Sequence, residues 1–170
     1  EGLLVNWSTS LGTLDRPASR TNANGVASAV LTAGTVAGEA SVTARAGAGD
    51  AGRAIRVALN ADPLSARVAS LSSSKSKGVA DGRDTTTLTA AVQDAYGNPE
   101  GAGVAVNWRT NLGTLAAPSS VTDARGVATV TLRAPTIPGT AVLTARAAPA
   151  DGGKTIRMSF EKSGVRPPRP

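Results

Sequence analysis

Apolar and polar side chains alternate along most of this chain with a period of two, which is typical of β-strands that bury one face. Clusters of Gly, Pro, Asn and Asp separate the alternating runs and predict turns. No run shows the 3.6-residue period of an amphipathic helix. In the second half of the chain the predicted strands are 67–71, 85–92, 104–108, 126–132, 141–147 and 155–160, with a short strand near 113–115.

The alternating pattern occurs twice, with a shift of 101 residues. VNWSTSLGTL at 5–14 returns as VNWRTNLGTL at 106–115, and 28 of the 55 positions in 5–59 are identical to their counterparts in 106–160. This period is too long for a solenoid unit and equals the size of one small sandwich domain. The sequence therefore predicts an all-β protein of tandem immunoglobulin-like Greek-key β-sandwiches.

The two copies are not equally complete. Residues 63–161 are expected to form a complete repeat, whereas 1–62 form a partial repeat that lacks its first strands, the counterparts of 66–101. A Pro-rich basic tail, 162–170, follows and is expected to be extended. Two explanations of the partial repeat stay open. The chain is an excerpt of a longer one, or another chain donates the missing strands by β-strand addition.

The amino-acid composition excludes several classes of function. The chain has no Cys and no His, which excludes thiolate chemistry and removes the commonest general base and zinc ligand. The net charge is +6, but the basic residues alternate singly with apolar ones and aromatics make up only 2%. We therefore expect solvated strand faces and no nucleic-acid binding. No apolar run reaches 18 residues, so no transmembrane segment is predicted.

Few residues are candidates for a site. Trp7 and Trp108 occupy matching positions on a strand where immunoglobulin folds often keep a core Trp, so they are expected in the core rather than as a platform for ligand stacking. Val106, Leu115 and Leu132 are expected in the same core. Tyr96 lies in a predicted turn and is a possible contact residue.

Other candidates are interpreted structurally. The spacing of Asp81 and Asp84 is poor for calcium, which needs six to eight converging oxygens. The segment 72–77 contains a Ser-x-x-Lys spacing, but that catalytic motif needs a helix, and we expect a flexible loop instead. No catalytic group, metal or cofactor is predicted.

The segment 88–115, LTAAVQDAYGNPEGAGVAVNWRTNLGTL, and TDARGVATVTLRA at 122–134 resemble the bacterial immunoglobulin-like domain, group 1. This family forms the repeated ectodomains of intimin- and invasin-type surface adhesins. The resemblance covers almost all of 66–160 and the latter half of the pattern in 3–59. It implies a sandwich fold, export, and a spacer or adhesive role. Receptor binding in such adhesins lies mainly in tip modules, so the resemblance implies a scaffold.

The predicted function is a non-enzymatic structural module of a bacterial cell-surface adhesin, which projects a binding region and mediates attachment. We expect an extracellular location, anchored to the outer membrane through a part outside these residues. Expected partners are a host or bacterial surface protein or glycan. The alternative is a subunit or decorating protein of an extracellular filament or pilus, with strand exchange between like chains.

Overall fold

The computed structural model describes residues 1–162, and the chain divides into two units, Glu1–Ala61 and Asp62–Pro170. The first unit contains the strands β1 (Leu4–Thr9), β2 (Thr13–Leu14), β3 (Ala18–Arg20), β4 (Leu31–Thr32), β5 (Gly38–Arg45) and β6 (Arg53–Leu59). An antiparallel sheet has the order β3-β1-β5-β6, and β2 pairs with β4. The predicted tail, apart from Lys162, lies outside the described residues.

The second unit begins with a single 3₁₀ turn, Pro63–Ser65, capped by the Asp62 side chain. Its strands are β7 (Arg67–Ser73), β8 (Lys77–Val79), β9 (Thr85–Gln93), β10 (Ala105–Thr110), β11 (Thr114–Leu115), β12 (Ser119–Val121), β13 (Val127–Arg133), β14 (Gly139–Arg146) and β15 (Lys154–Glu161). They form two sheets, β12-β10-β14-β15-β8 and β11-β13-β9-β7. Within residues 1–162 there is no α-helix, and no helix has the length and apolarity to cross a membrane.

A single apolar core lies between the two sheets of the second unit. One sheet contributes Val106, Trp108, Leu143, Met158 and Phe160, and the other contributes Val68, Leu88, Val92, Val130 and Leu132. The inward positions alternate with outward polar ones along each strand, because successive side chains of a strand point to opposite faces. This arrangement confirms the predicted all-β, immunoglobulin-like sandwich.

The strand pairings repeat in register with the 101-residue shift. Leu4 faces Arg20 in the first unit, and Ala105 faces Val121 in the second. The β5–β6 and β14–β15 pairs show the same correspondence, with Gly38 facing Leu59 and Gly139 facing Phe160. The identical register follows from the identical apolar pattern, since a one-residue slip would move every buried side chain to the solvent face.

One segment breaks the correspondence. The strand β13 pairs with β9 over seven residues, from Val127 to Arg133. Its counterpart in the first unit, 26–32, is extended strand only at Leu31–Thr32, where β4 pairs with β2. The first unit has no counterpart of β9 among its described residues, so the segment lacks the neighbour that holds β13 as a strand.

The segment 72–77, predicted as a flexible loop, contains the end of one strand, the start of the next and the three-residue connection 74–76 between them. The strand β7 continues to Ser73, and β8 begins at Lys77. The three residues of β8 pair in parallel with Ser159–Glu161 of β15. A strand of three residues is too short to show an alternating pattern, so its existence depends on the neighbouring strand.

Candidate interaction sites

The two tryptophans occupy equivalent positions in the two units. Trp108 is 4% exposed, and its indole Nε1 donates to Ser120 Oγ at 2.9 Å. Trp7 makes the matching bond to Ser19 Oγ at 2.9 Å, but its side chain is only half-buried. Trp108 therefore lies in the closed core, and Trp7 lies on an inner face that is less well covered.

The other expected core positions lie around Trp108. Val106 on β10 and Leu132 on β13 are fully buried, in opposite sheets. Leu115 on β11 is partly buried and packs against the same cluster. Apolar residues alternate with polar ones around Val106 and Leu132, and this is the pattern from which core positions were expected.

Tyr96 lies on a loop that its neighbours hold in a defined shape. The Asp94 Oδ1 atom accepts from the backbone N–H groups of Tyr96 at 2.8 Å and Asn98 at 2.9 Å, and Oδ2 accepts from Asn98 Nδ2 at 2.7 Å. Burial raises the pKa of Asp94, but these hydrogen bonds outweigh it and hold the pKa below its ordinary value. The Tyr96 side chain is 65% exposed on this loop.

Glu100, at the end of the same loop, is a buried acid that sequence reasoning missed. It is 3% exposed, and its Oε1 atom has no hydrogen-bond partner among the described residues. Burial raises its pKa, and the nearby carboxylates of Asp94 and Asp62 raise it further. Nothing in the alternation of residues around position 100 distinguishes this glutamate from an exposed one.

The acidic residues of the 81–84 turn organise the backbone. Asp81 Oδ1 accepts from the N–H groups of Arg83 at 2.8 Å and Asp84 at 2.7 Å. Asp84 forms an ion pair with Lys75, which holds the segment between β7 and β8 against this turn. Within residues 1–162 no group of three or more acidic side chains could hold a metal ion.

Several apolar side chains of the first unit are exposed. Val26 and Val30, 58% and 61% exposed, are the counterparts of Val127 and Thr131 at the outward positions of β13, whereas Ile55 is 64% exposed at an inward one. The counterpart of Ile55 is Ile156, which is partly buried against the core of the second unit. Among the described residues, the first unit therefore has the inner face of a sandwich without strands that correspond to β7 and β9.

Comparison with known proteins identifies one family and several solved structures that are similar to this chain. Residues 68–161 match the model of the family described as bacterial Ig-like domain (group 1). Yersinia pseudotuberculosis InvD is similar over 98% of this chain and 50% of its own, at 26% identity and a TM-score of 0.65. The D0-D1 domain of intimin is similar over 94% of this chain and 81% of its own, at 26% identity and a TM-score of 0.52.

A C-terminal 282-residue fragment of intimin, solved in complex with the intimin-binding domain of the translocated intimin receptor, is 29% identical over 55% of this chain and 32% of its own, with a TM-score of 0.50. This chain therefore spans about half of the InvD chain and a third of that fragment. A glycosyl hydrolase family 2 member from Bacteroides cellulosilyticus, 17% identical with a TM-score of 0.50, shares the fold alone. No curated protein sequence matches the chain.

Proposed function

The chain belongs to the bacterial Ig-like domain (group 1) family, whose modules are not catalytic, and from this membership we propose that it is a tension-bearing spacer of a bacterial cell-surface adhesin. Its neighbours in structure are domains of surface-exposed adhesins, so it is an adhesin-like module. In the proposed role the sandwich projects a binding region from the cell. Anchoring to the outer membrane through another part of the protein belongs to the same proposal.

The observation that carries the proposal is the parallel pairing of β8 with β15. Lys77 faces Ser159 and Val79 faces Glu161, so the first part of the second unit is hydrogen-bonded to its last strand. The Ala80 N–H donates to Glu161 O at 2.8 Å, and the Ser159 N–H donates to Ser76 O at 3.1 Å.

Force applied to the two ends of this unit first loads β7, which is paired with β9. Once β7 detaches, the force pulls β8 and β15 in opposite directions along their common axis. All the hydrogen bonds between two parallel strands are then loaded together, in shear. In a pair that is pulled apart sideways, the bonds break one after another. A module whose terminal strands meet in this way is suited to transmit tension between a surface and an attached partner.

The test is the dependence of the unfolding force on the direction of pulling. The chain has no cysteine, so introduced pairs of cysteines define two attachment points. Handles at Leu64→Cys and Lys162→Cys load β7 first and then the β8–β15 pair, the latter in shear. Handles at Leu64→Cys and Ala150→Cys do not, because the Asp151 carboxylate bonds Val68 N–H and both points lie at one end of the unit.

We expect a clearly higher unfolding force for the end-to-end pair, measured by single-molecule force spectroscopy on the full chain. The control is the thermal stability of the two double variants. If their stabilities are equal, a difference in unfolding force is caused by the direction of pulling and not by the substitutions. Equal unfolding forces in the two directions would contradict the proposed tension-bearing role.

A contact role is the second candidate, and the exposed aromatic ring of Tyr96 favours it. Aromatic side chains provide a large contact area at low entropic cost, and the Asp94-ordered loop fixes the backbone that carries this ring. The partner class is a host or bacterial surface protein or a glycan. The intimin fragment in complex with a receptor domain supports a protein partner.

A further inference from the structure

We propose that the outer face of the five-stranded sheet in the second unit binds an anionic polysaccharide through three arginines, Arg109 on β10, Arg146 on β14 and Arg157 on β15. All three are exposed, because they alternate with buried core residues along their strands. The proposal goes beyond the tension-bearing role, since it assigns a ligand to a surface that this role does not use.

The three arginines lie on adjacent strands. On the β10–β14 pair Arg109 faces Thr144, and Arg146 lies two residues further along β14. Arg157 faces Val142 on the other side of β14. With strands about 4.8 Å apart and a rise of about 3.4 Å per residue, the Cα atom of Arg109 lies about 8 Å from that of Arg146 and about 12 Å from that of Arg157. One extended polymer with repeated acidic groups can therefore contact all three.

A groove of about 640 Å³ lies over Arg109 and Arg146. It is lined by side chains of β10 and β14 and by the segment 147–149 that follows β14. Besides the two arginines, the lining contains Asn107 and Thr144, which provide an amide and a hydroxyl group. Amide and hydroxyl groups bond sugar hydroxyls, whereas arginine binds carboxylates and similar oxyanions through paired N–H groups.

The positive charge of this face is not neutralised. Among residues 1–162, both ion pairs formed by arginine lie in the first unit. Asp151 attracts Arg146 electrostatically, but its oxygens already accept from three backbone N–H groups. Glu161, at the end of β15, is paired with Lys77 at 3.0 Å. The three arginines are thus available to an anionic ligand.

The side chain of Arg146 is held against the hairpin that joins β14 to β15. A Cβ atom on Gly153 would lie 2.6 Å from Arg146 Cγ and 3.2 Å from its Nε, so the arginine lies directly on the glycine backbone. A side chain that is already packed loses less conformational freedom when it binds a ligand. The glycine therefore helps to place the Arg146 guanidinium in the groove.

The first unit has the same sheet without this cluster of charge. Ser8 occupies the position that corresponds to Arg109. Arg56, the counterpart of the β15 arginine, is paired with Glu39 at 2.8 Å. The residue that corresponds to Glu39 is Thr140, which carries no charge. Two differences between the copies therefore create the cluster, and the first unit shows that these strands pair without it.

The chemistry of the face favours a polysaccharide over a protein or a nucleic acid. Protein interfaces concentrate aromatic and apolar side chains at their centre, and single-stranded nucleic acids stack their bases on aromatic rings. The outward positions of β10, β14 and β15 carry no aromatic residue. Apart from Ala105 and Val142, these positions are polar or charged: Asn107, Arg109, Thr140, Thr144, Arg146, Thr155, Arg157, Ser159 and Glu161.

The experiment measures binding of the full chain to dextran sulfate, polygalacturonate and neutral dextran by isothermal titration calorimetry. We expect saturable binding to a charged polymer and none to dextran, with affinity that falls as salt rises. Dextran sulfate and polygalacturonate distinguish a sulfated ligand from a carboxylated one. Poly-L-glutamate and duplex DNA represent an acidic protein and a nucleic acid, and we expect both to bind more weakly.

Four variants make the test specific. Arg109→Ser and Thr140→Glu each introduce the residue of the first unit, and each should weaken binding about tenfold, because each removes one charged contact. Arg125→Ser changes the net charge equally in the turn before β13, on the other sheet, and binding should persist. Tyr96→Ala should also leave binding unchanged. All four positions are exposed, so the variants should fold.

Several outcomes would overturn the proposal. The first is no saturable binding to either charged polysaccharide. The second is an equal loss for Arg125→Ser and Arg109→Ser, since binding would then depend on net charge alone. The third is binding of poly-L-glutamate or DNA as tight as that of the polysaccharides. The fourth is loss of binding with Tyr96→Ala, which would assign the ligand to the loop of Tyr96.

Saturable polysaccharide binding that Arg109→Ser and Thr140→Glu weaken, and that Arg125→Ser preserves, supports the site. None of these results depends on the unfolding force. Failure of the polysaccharide site is therefore distinguishable from failure of the tension-bearing role.

Discussion

At the scale of single residues, Asp50 and Asp151 occupy equivalent positions in the two copies of the repeat but accept different sets of hydrogen bonds. Both accept backbone N–H groups in the turn between the last two strands of their units. Only Asp151 also bonds β7, through Val68 N–H. The same aspartate therefore closes a turn in the first unit and joins two sheets in the second.

Asp151→Asn should destabilise the second unit by about 1–3 kcal/mol, because it removes an ionised acceptor of three backbone N–H groups. Burial raises the pKa of Asp151, but the bonds from Ala147, Val68 and Gly153 outweigh it and hold the pKa below its ordinary 3.8. This stabilisation is present above pH 3.8 and is lost as pH falls through the lower folded pKa. Urea unfolding of both proteins measures the difference.

The matched control is Asp50→Asn, for which we expect a smaller loss. The prediction fails if the two variants lose equal stability, or if the difference between wild type and Asp151→Asn persists unchanged at pH 2.

Glu100 should make the second unit less stable as pH rises. Its pKa is raised by burial and by the carboxylates of Asp94 and Asp62, so the folded protein holds this proton more tightly than the unfolded chain. The resulting stability is full below pH 4.5 and is lost as pH rises through the folded pKa. Glu100→Gln should therefore raise the melting temperature at pH 7 and have little effect at pH 4.

Thermal melts at the two pH values check this expectation. The exposed Glu161→Gln serves as the reference, because its ion pair with Lys77 lies on the surface and surface pairs contribute little. A melting temperature for Glu100→Gln that is unchanged or lower at pH 7 would show that the buried carboxylate is not a source of instability.

At the scale of elements, a strand in this protein depends on its neighbour more than on its own residues. The segments 26–32 and 127–133 share Val, Ala and Leu at three of seven positions, yet only the second is a continuous strand. The difference is the presence of β9. The short strand β8 shows the same dependence, since its three residues are ordered by pairing with β15.

The element scale also separates what could be predicted from what could not. The longer strands of the second unit were predicted from their alternation, with ends that differ by one or two residues. The strands β8 and β12 were not predicted, because three residues carry too little pattern. The shared register of the two units followed from the repeated sequence.

At the scale of the whole molecule, the two units differ in how much of a sandwich each one completes. The second encloses its core between two sheets, whereas the buried apolar residues of the first are only Val5, Ala40 and Val42 among those described. Apolar burial is the main favourable term in folding, so the units should differ in stability.

Calorimetry of the full chain should show two transitions, the lower one from the first unit. A shortened chain of residues 62–162 should keep only the upper transition, within a few degrees of its position in the full chain, because its core is made entirely of its own residues. A random-coil circular dichroism spectrum of the shortened chain, or a single transition in the full one, would contradict this expectation.

The sequence by itself determined the all-β class, the repeat and the register, and it predicted core positions for Trp108, Val106 and Leu132. These follow from the local alternation of apolar and polar residues and from the internal repetition, both of which are present in the sequence itself. The tertiary structure alone decided that Glu100 is buried and that β8 joins β15. Each of these depends on contacts between residues far apart in the chain, where the local pattern holds no information.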